Sequence, residues 1–317
     1  MLQILKRGDA DFQSIAASPG WALGPDVVWI DLLKPTREEE LAVEAALGLD
    51  LPTLDEMAAL EPSSRLYQER GATFMTATLL ARSQADAPFG APVTFVLAKD
   101  VLVTLRYHDF RAFTVFSGRA CAEPDAVGGS IFLGLLDAVV ERLAQVLDET
   151  GHRVEAASVA IFERPKAGDF RPMLTNLAKA QSLAALARSS LVSLSRLLSF
   201  AALASEIATH PDERAHLKSL QRDTQSLMEH TSQQSAHVAF LLDAALGLIN
   251  IEQNGIIKFF SVVAVVFMPP TLIASIYGMN FDIMPELHWA HGYPVALIMM
   301  AIAAALPVLW FKRRGWL

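Results

Sequence analysis

Residues 259–281 read FFSVVAVVFMPPTLIASIYGMNF, and residues 292–311 read GYPVALIMMAIAAALPVLWF. Neither stretch contains a charged side chain. A helix of about 20 residues crosses a hydrocarbon layer of about 30 Å, so both stretches are long enough to span a membrane. The sequence therefore predicts two transmembrane helices near its end, joined by a loop at residues 282–291.

The residues beside these stretches predict their orientation. Lys312, Arg313 and Arg314 follow the second stretch directly, and basic residues that flank a span are retained in the cytoplasm. The first residues of the chain contain no apolar core of signal-peptide length. We therefore expect both termini in the cytoplasm, with a basic tail at residues 312–317, and only the loop at 282–291 outside.

The remainder of the chain is acidic. The 317 residues are 52% hydrophobic and 19% charged, with a formal net charge of −8. Residues 256–317 hold four basic and two acidic side chains, so residues 1–255 carry −10. Such a domain repels nucleic acid and attracts cations. The single cysteine, Cys121, excludes a disulfide framework and a multi-cysteine metal site, and we expect a small buried side chain there.

The first 210 residues predict an α+β domain. Residues 27–33 form a buried apolar run that Lys34-Pro35 ends, and Thr36 is a predicted N-cap for a helix reaching about Leu47. Further strands are expected at 72–80, 93–98 and 101–106, the last two joined by a Lys99-Asp100 turn. From about residue 129 the spacing becomes helical, with helices expected at 130–162 and 173–207.

A very long helix is predicted next. After Thr209, an expected cap paired with Asp212, no proline interrupts the chain until Pro269-Pro270. A helix from Pro211 to Ile276 would be on the order of 100 Å long. It forms a stalk within residues 211–281 that continues into the first span at about 259–281. A lone helix of this kind is poorly supported, so we expect it to associate with copies of itself.

One face of the first span mixes polar and apolar side chains. Repeating every 3.5 residues, it comprises Asn254, Ile257, Ser261, Ala264, Met268, Thr271 and Ser275. Polar groups in lipid are unfavourable unless they meet partners or water, which favours a water-lined face. Ser and Thr can instead bond to the carbonyls of the preceding turn, and Met is a common packing residue. Periodicity alone leaves both interpretations open.

The span ends in Tyr277-Gly278-Met279-Asn280. In one interpretation Gly278 is a left-handed helix cap, Tyr277 an interfacial anchor and Asn280 a turn residue. In the other, several copies of Asn280 surround an axis and present carbonyl oxygens to a cation. The position of the triplet, at the end of the first of two spans, favours the second interpretation.

With this triplet the sequence resembles the CorA family of divalent-cation transporters, whose signature is Gly-Met-Asn after the first span. The similarity extends through residues 247–254, the Met284–Leu287 loop and the tail at 312–317, and more weakly through 52–57 and 63–67. The resemblance implies a funnel-shaped homopentamer in a bacterial inner membrane, with an α/β/α cytosolic domain. It also implies that the pore is lined by Asn254, Ile257, Phe260, Ala264, Met268, Thr271 and Asn280.

The chemistry of Mg²⁺ indicates how such a pore would work. The ion dehydrates reluctantly, so Asn280 is expected to recognise its inner water shell rather than to bind the metal directly. Asp282 and Glu286 would raise the cation concentration at the entrance. Transport of Mg²⁺, and also of Co²⁺, would be passive and driven by the membrane potential. No cofactor is expected, because the chain contains no glycine-rich phosphate loop.

Regulation by internal Mg²⁺ is a further expectation of the resemblance. Carboxylates that face each other between subunits repel unless a cation bridges them, so bound Mg²⁺ would hold the subunits together. The candidate ligands are Asp223, Asp50, Asp55 and Glu56, for which a solvating role is the alternative.

Three competing functions remain open from the sequence. A zinc transporter of the same two-span superfamily would use nitrogen ligands, for which the loop offers only His288 and His291. A membrane-anchored sensor would use the spans as a tether. An enzyme has the least support, because the eight histidines are scattered and no nucleophile has a recognisable setting.

Overall fold

The structure of the chain is a computed structural model. Two compact units can be distinguished, Met1–Leu242 and Asp243–Leu317. The structure describes residues 1–9, 11–15, 23–59, 61–82, 87–120, 126–162, 170–280, 282 and 284–316. Cys121, Phe281 and Ile283 lie outside these ranges.

A seven-stranded mixed sheet organises the first unit, in the order β2-β1-β3-β7-β6-β5-β4. Of the neighbouring strands described, β3 and β7 run parallel and the other pairs run antiparallel. The strands are β1 (Leu2–Lys6), β2 (Gln13–Ile15), β3 (Val27–Leu33), β4 (Leu66–Glu69), β5 (Ala72–Ala81), β6 (Phe89–Ala98) and β7 (Val101–Arg106).

The two-residue turn between β6 and β7 has the predicted form. Lys99 and Asp100 have φ values of 50° and 52°, the left-handed pair that matches the twist of a tight hairpin. The Asp100 carbonyl accepts a 2.7 Å hydrogen bond from the N–H of Gly128. A Cβ at Gly128 would lie 2.6 Å from that same carbonyl oxygen, so only glycine allows this approach.

Helices cover both faces of the sheet because its strands alternate between two apolar cores. Ile30 belongs to a core with Val43 and Met57, from helices α1 (Arg37–Leu47) and α2 (Leu54–Ala58). Trp29 belongs to the other core. That core includes residues of α4 (Arg111–Ala120), α5 (Gly128–Phe162) and α6 (Arg171–Ala201), and a short helix α3 (Pro62–Arg65) leads into β4.

The helices that follow differ from the prediction in two respects. The helix expected at 173–207 ends at Ala201, and a short helix α7 (Ser205–Ala208) follows. Ala204, in extended conformation, and Ile207 are fully buried. The turn between the two helices therefore brings both side chains into the core.

The expected cap at Thr209 is also wrong. Its hydroxyl donates a 2.8 Å hydrogen bond to the Ser205 carbonyl at the end of α7. The long helix α8 (Pro211–Tyr277, 67 residues) instead begins on a proline. A proline loses no hydrogen bond there, because the first N–H groups of a helix have no partner within it.

A 3₁₀ turn at Pro285–His288 precedes the last helix, α9 (Gly292–Arg313). Three of the described helices, α6, α8 and α9, are long and apolar enough to cross a membrane. In the most apolar 18-residue stretch of α6, 44% of the residues are buried inside the structure, against 6% in α8 and 11% in α9. The apolar side of α6 is therefore part of a folded core, whereas those of α8 and α9 are left uncovered.

Candidate functional site

The Gly278-Met279-Asn280 triplet directly follows α8, which ends at Tyr277. The N–H of Gly278 donates to the Ala274 carbonyl at 2.9 Å, and the N–H of Met279 donates to the Ile276 carbonyl at 3.3 Å. Gly278 is not in the left-handed region, so the left-handed cap of the first interpretation is wrong. Glycine is favoured here by space instead, because a Cβ would lie 3.1 Å from the Ala274 oxygen.

Asn280 follows directly and is exposed. Its side-chain amide forms no hydrogen bond with any described residue. One carbonyl oxygen and two N–H groups are therefore available for a ligand. Met279, beside it, is also exposed.

The six predicted pore-lining positions that fall within α8 lie on one side of that helix. At about 100° per residue they fall within an arc of about 120°. All six are exposed, and Met268 is 68% exposed. Val262, about 160° around the helix from Ala264, is only 8% exposed. The six positions are Asn254, Ile257, Phe260, Ala264, Met268 and Thr271.

The polar members of this face differ in how they are satisfied. The Thr271 hydroxyl donates to the Phe267 carbonyl at 2.7 Å, which is the local arrangement left open from the sequence. Its oxygen can still accept a hydrogen bond. The Asn254 amide has no partner among the described residues. The face therefore offers one free amide and one acceptor oxygen among apolar side chains.

The loop after α8 keeps its two carboxylates in solvent. Asp282 and Glu286 are exposed, and the Glu286 carbonyl accepts from the N–H of Trp289 at 3.3 Å. His288 Nδ1 lies 3.3 Å from the Met284 carbonyl oxygen, and the His291 ring lies 6.0 Å from that of Trp289. Within the described parts of the chain, no group of three or more His, Cys, Asp or Glu side chains is placed to hold a metal ion.

Two of the four proposed regulatory carboxylates have structural partners. Glu56 accepts from the Thr53 N–H at 2.8 Å and from its hydroxyl at 2.9 Å, and these bonds lower the pKa of Glu56. Asp50 lies 3.1 Å from Arg70. Asp55 and Asp223 form no ion pair with a described residue. A joint metal-binding role for these four side chains stays a prediction.

The sequence did not single out Glu213, in the first turn of α8. Its side chain is 11% exposed, and Oε2 has no hydrogen-bond partner among the described atoms. Burial raises the pKa of Glu213, and Asp100 and Glu206 add to the shift, while His210 at 3.9 Å opposes it. A Cβ at Gly129 would lie 2.6 Å from this oxygen. The first turn of α8 is polar in sequence, so no sequence pattern predicts that Glu213 is buried.

Comparison with known proteins places these features in context. Residues 25–313 match the family model described as CorA-like Mg2+ transporter protein. The chain is 36% identical over 294 residues to the magnesium transport protein CorA of Salmonella typhimurium, and 38% identical over 295 residues to that of Haemophilus ducreyi. Both alignments cover 92% of each chain.

A solved structure has a similar fold. The complete structure of the CorA magnesium transporter from Methanocaldococcus jannaschii superposes with a TM-score of 0.80 at 18% identity, covering 100% of this chain and 99% of that one. The mixed α/β unit, the long helix and the apolar C-terminal helices are therefore a known arrangement.

Proposed function

The chain belongs to the CorA family, and on this premise we propose that it takes up Mg²⁺, and also Co²⁺, by passive flow through a membrane pore. Its spans are α9 and the apolar part of α8, in a bacterial inner membrane with both termini in the cytoplasm. The single observation that carries the proposal is Asn280, an exposed amide without a partner among the described residues, three positions after the last residue of α8.

The mechanism follows from the hydration of the ion. Mg²⁺ requires octahedral oxygen geometry and releases its water reluctantly. A ring of Asn280 amides can hydrogen-bond the water molecules of the hydrated ion without replacing them. Gly278 supports this role, because the absence of a side chain lets the chain turn directly above the Ala274 carbonyl.

A pore requires several copies of the chain, because two helices cannot enclose a water path. We assign the exposed arc of α8 to the pore of a homopentamer, with Val262 on the opposite side of the helix. Asn254 and Thr271 supply polar rings. Ile257, Phe260 and Met268 supply apolar constrictions, which close a pore by excluding water.

The membrane potential supplies the driving force. Entry is favoured by about 2.3 kcal/mol per charge per 100 mV, and by about twice that for a divalent ion. Asp282 and Glu286 are exposed at the external entrance in this arrangement and attract cations there.

Internal Mg²⁺ acts as the regulatory ligand in this proposal. Glu56 is engaged by Thr53 and Asp50 by Arg70, so Asp223 and Asp55 are the better candidates for bridging subunits. Their carboxylates are exposed and form no ion pair within the described chain.

Ion flux tests the proposal. Protein in liposomes with an imposed inside-negative potential is expected to pass Mg²⁺ and Co²⁺. Asn280→Ala should reduce that flux at least about tenfold, since each hydrogen bond to a charged complex contributes about 1.5–3 kcal/mol. The matched control, Asn176→Ala on an exposed part of α6, should leave flux unchanged.

Three outcomes would contradict the proposal. Passage of Zn²⁺ without Mg²⁺ would assign the protein to zinc transport. Unchanged flux in Asn280→Ala would remove the amide ring from the mechanism. No flux of any divalent ion would favour a membrane-anchored sensor.

A further inference from the structure

A cavity of about 600 Å³ lies in the first unit, among residues that the proposed function does not use. Its described lining comes from the ends of β3, β5 and β7, the starts of β6 and α4, and the middle of α5. This volume is in the range of pockets that bind small organic molecules.

The cavity opens at the carboxyl ends of the parallel strand pair. Lys34 follows β3, and His108 comes shortly after β7. The Lys34 N–H donates to the Arg106 carbonyl at 2.8 Å, so the two strand ends lie side by side. In α/β folds, ligands bind in the crevice outside the carboxyl ends of parallel strands.

The lining contains more basic than acidic side chains although the chain carries −8 overall. Lys34, Arg82, Arg111 and Arg142 line the cavity, against one carboxylate, Asp109, among the described lining residues. Asp109 lies 3.2 Å from Arg106, which also pairs with Asp31, and Arg142 lies 3.7 Å from Glu149. The excess of basic over acidic side chains therefore depends mainly on Lys34 and Arg82. Arginine and lysine gathered in a concave site favour an anion, and the arginine fork suits phosphate.

The start of α4 adds to this preference. Arg111 is the first residue of the ten-residue helix, and it and Ala112 line the cavity. The first N–H groups of a helix have no partner in the helix, and its dipole favours negative charge there. Backbone and side chains therefore favour the same sign of ligand charge.

Part of the wall is apolar and aromatic. Phe89, Phe110 and Leu143 line it, and the Phe89 and His108 rings meet edge to face with centroids 4.9 Å apart. An inorganic anion would leave this wall unused. A ligand that joins a phosphate group to a flat organic part would contact both kinds of surface.

We propose that this cavity binds an organic phosphate of nucleotide size. The phosphate group lies at the start of α4 among Lys34, Arg82 and Arg111, and the organic part lies against Phe89 and Phe110. None of its lining residues is among those assigned to the ion path, so the proposal stands or falls independently of magnesium transport.

Equilibrium binding to the full-length protein in detergent, with EDTA present, tests the site. ATP and AMP are expected to bind, pyrophosphate at least about tenfold more weakly, and adenosine not measurably. Lys34→Gln and Arg82→Gln, both at exposed positions, should each weaken ATP binding about tenfold, which corresponds to the loss of one charged hydrogen bond. Arg119→Gln, on α4 but outside the cavity, should bind as the wild type does.

Three binding results would contradict the proposal. The site is wrong if neither nucleotide binds at millimolar concentration, or if both cavity variants bind ATP as tightly as Arg119→Gln. Pyrophosphate binding as tightly as ATP would overturn the organic part of the assignment. Thermal unfolding without ligand verifies that Lys34→Gln and Arg82→Gln are folded.

Discussion

The guanidinium of Arg106 donates two hydrogen bonds to the buried carboxylate of Asp31, at 3.1 Å to Oδ1 and 2.7 Å to Oδ2. The Thr104 hydroxyl donates to the same carboxylate at 2.6 Å and accepts from the indole of Trp29 at 3.0 Å. The parallel strands β3 and β7 are therefore joined by a side-chain network as well as by their backbones.

Breaking this pair should loosen both strands. Asp31→Asn removes the buried counter-charge of Arg106 and leaves it only the exposed carboxylate of Asp109, which destabilises a fold by about 3 kcal/mol. Hydrogen exchange of residues 27–33 and 101–106 should then lose about a hundredfold in protection. Glu141→Gln, which removes an exposed partner of Arg119, should change protection by less than about 1 kcal/mol. Equal losses of protection in the two variants would show that the buried network stabilises these strands no more than an exposed ion pair does.

Glu213 should make stability depend on pH. Its folded pKa is raised by burial, so its protonated form favours the fold, and stability decreases as the pH rises through the folded pKa. Glu213→Gln cannot ionise. The thermal midpoint of this variant should exceed that of the wild type near pH 8, and the difference should vanish below about pH 4.

Asp212→Asn is the matched control, because Asp212 is exposed in the same helical turn. The thermal midpoint of Asp212→Asn should not rise above that of the wild type as the pH increases. A midpoint for Glu213→Gln below that of the wild type at pH 8 would mean that the ionised carboxylate stabilises the start of α5.

Local sequence signals identified much of the fold. β3 has the predicted bounds, and Thr36 forms the predicted cap, with its hydroxyl accepting from the Glu39 N–H and Glu39 Oε2 accepting from the Thr36 N–H. The long helix α8 could be predicted because no cluster of helix-stopping residues interrupts the sequence before Pro269-Pro270. These features depend on residues close together in the chain.

The elements that were not predicted depend on distant partners. β1 and β4 are only five and four residues long, and each is defined by pairing with a neighbouring strand. α4 contains Thr114, Val115 and Gly118, which have low helix propensity, and is held by the buried Phe113 and Phe116. At the candidate site, one interpretation of the sequence explained Gly278 as a left-handed cap. The structure gives a different explanation, the close approach to the Ala274 carbonyl, which depends on how the helix ends.

Gly278 provides a graded test of that contact. The Cβ of Gly278→Ala would lie 3.1 Å from the Ala274 oxygen, so the helix end must shift by a few tenths of an ångström. We expect Mg²⁺ flux in liposomes to fall in the order wild type, Gly278→Ala, Gly278→Val, because each larger side chain displaces Asn280 further. Alanine and valine variants as active as the wild type would show that the position of Asn280 is not critical.

The apolar constriction can be tested through Met268. Met268 is 68% exposed on the proposed pore face. An apolar side chain closes a pore by excluding water, so Met268→Ser should let water enter the pore at this position and raise the resting flux of Mg²⁺. Val266→Ser makes a similar change about 160° away from Met268 around the helix and should not raise flux. If Val266→Ser alone raised the Mg²⁺ flux, the pore would lie on the other side of α8, because a serine can open the path only where its side chain lines the pore.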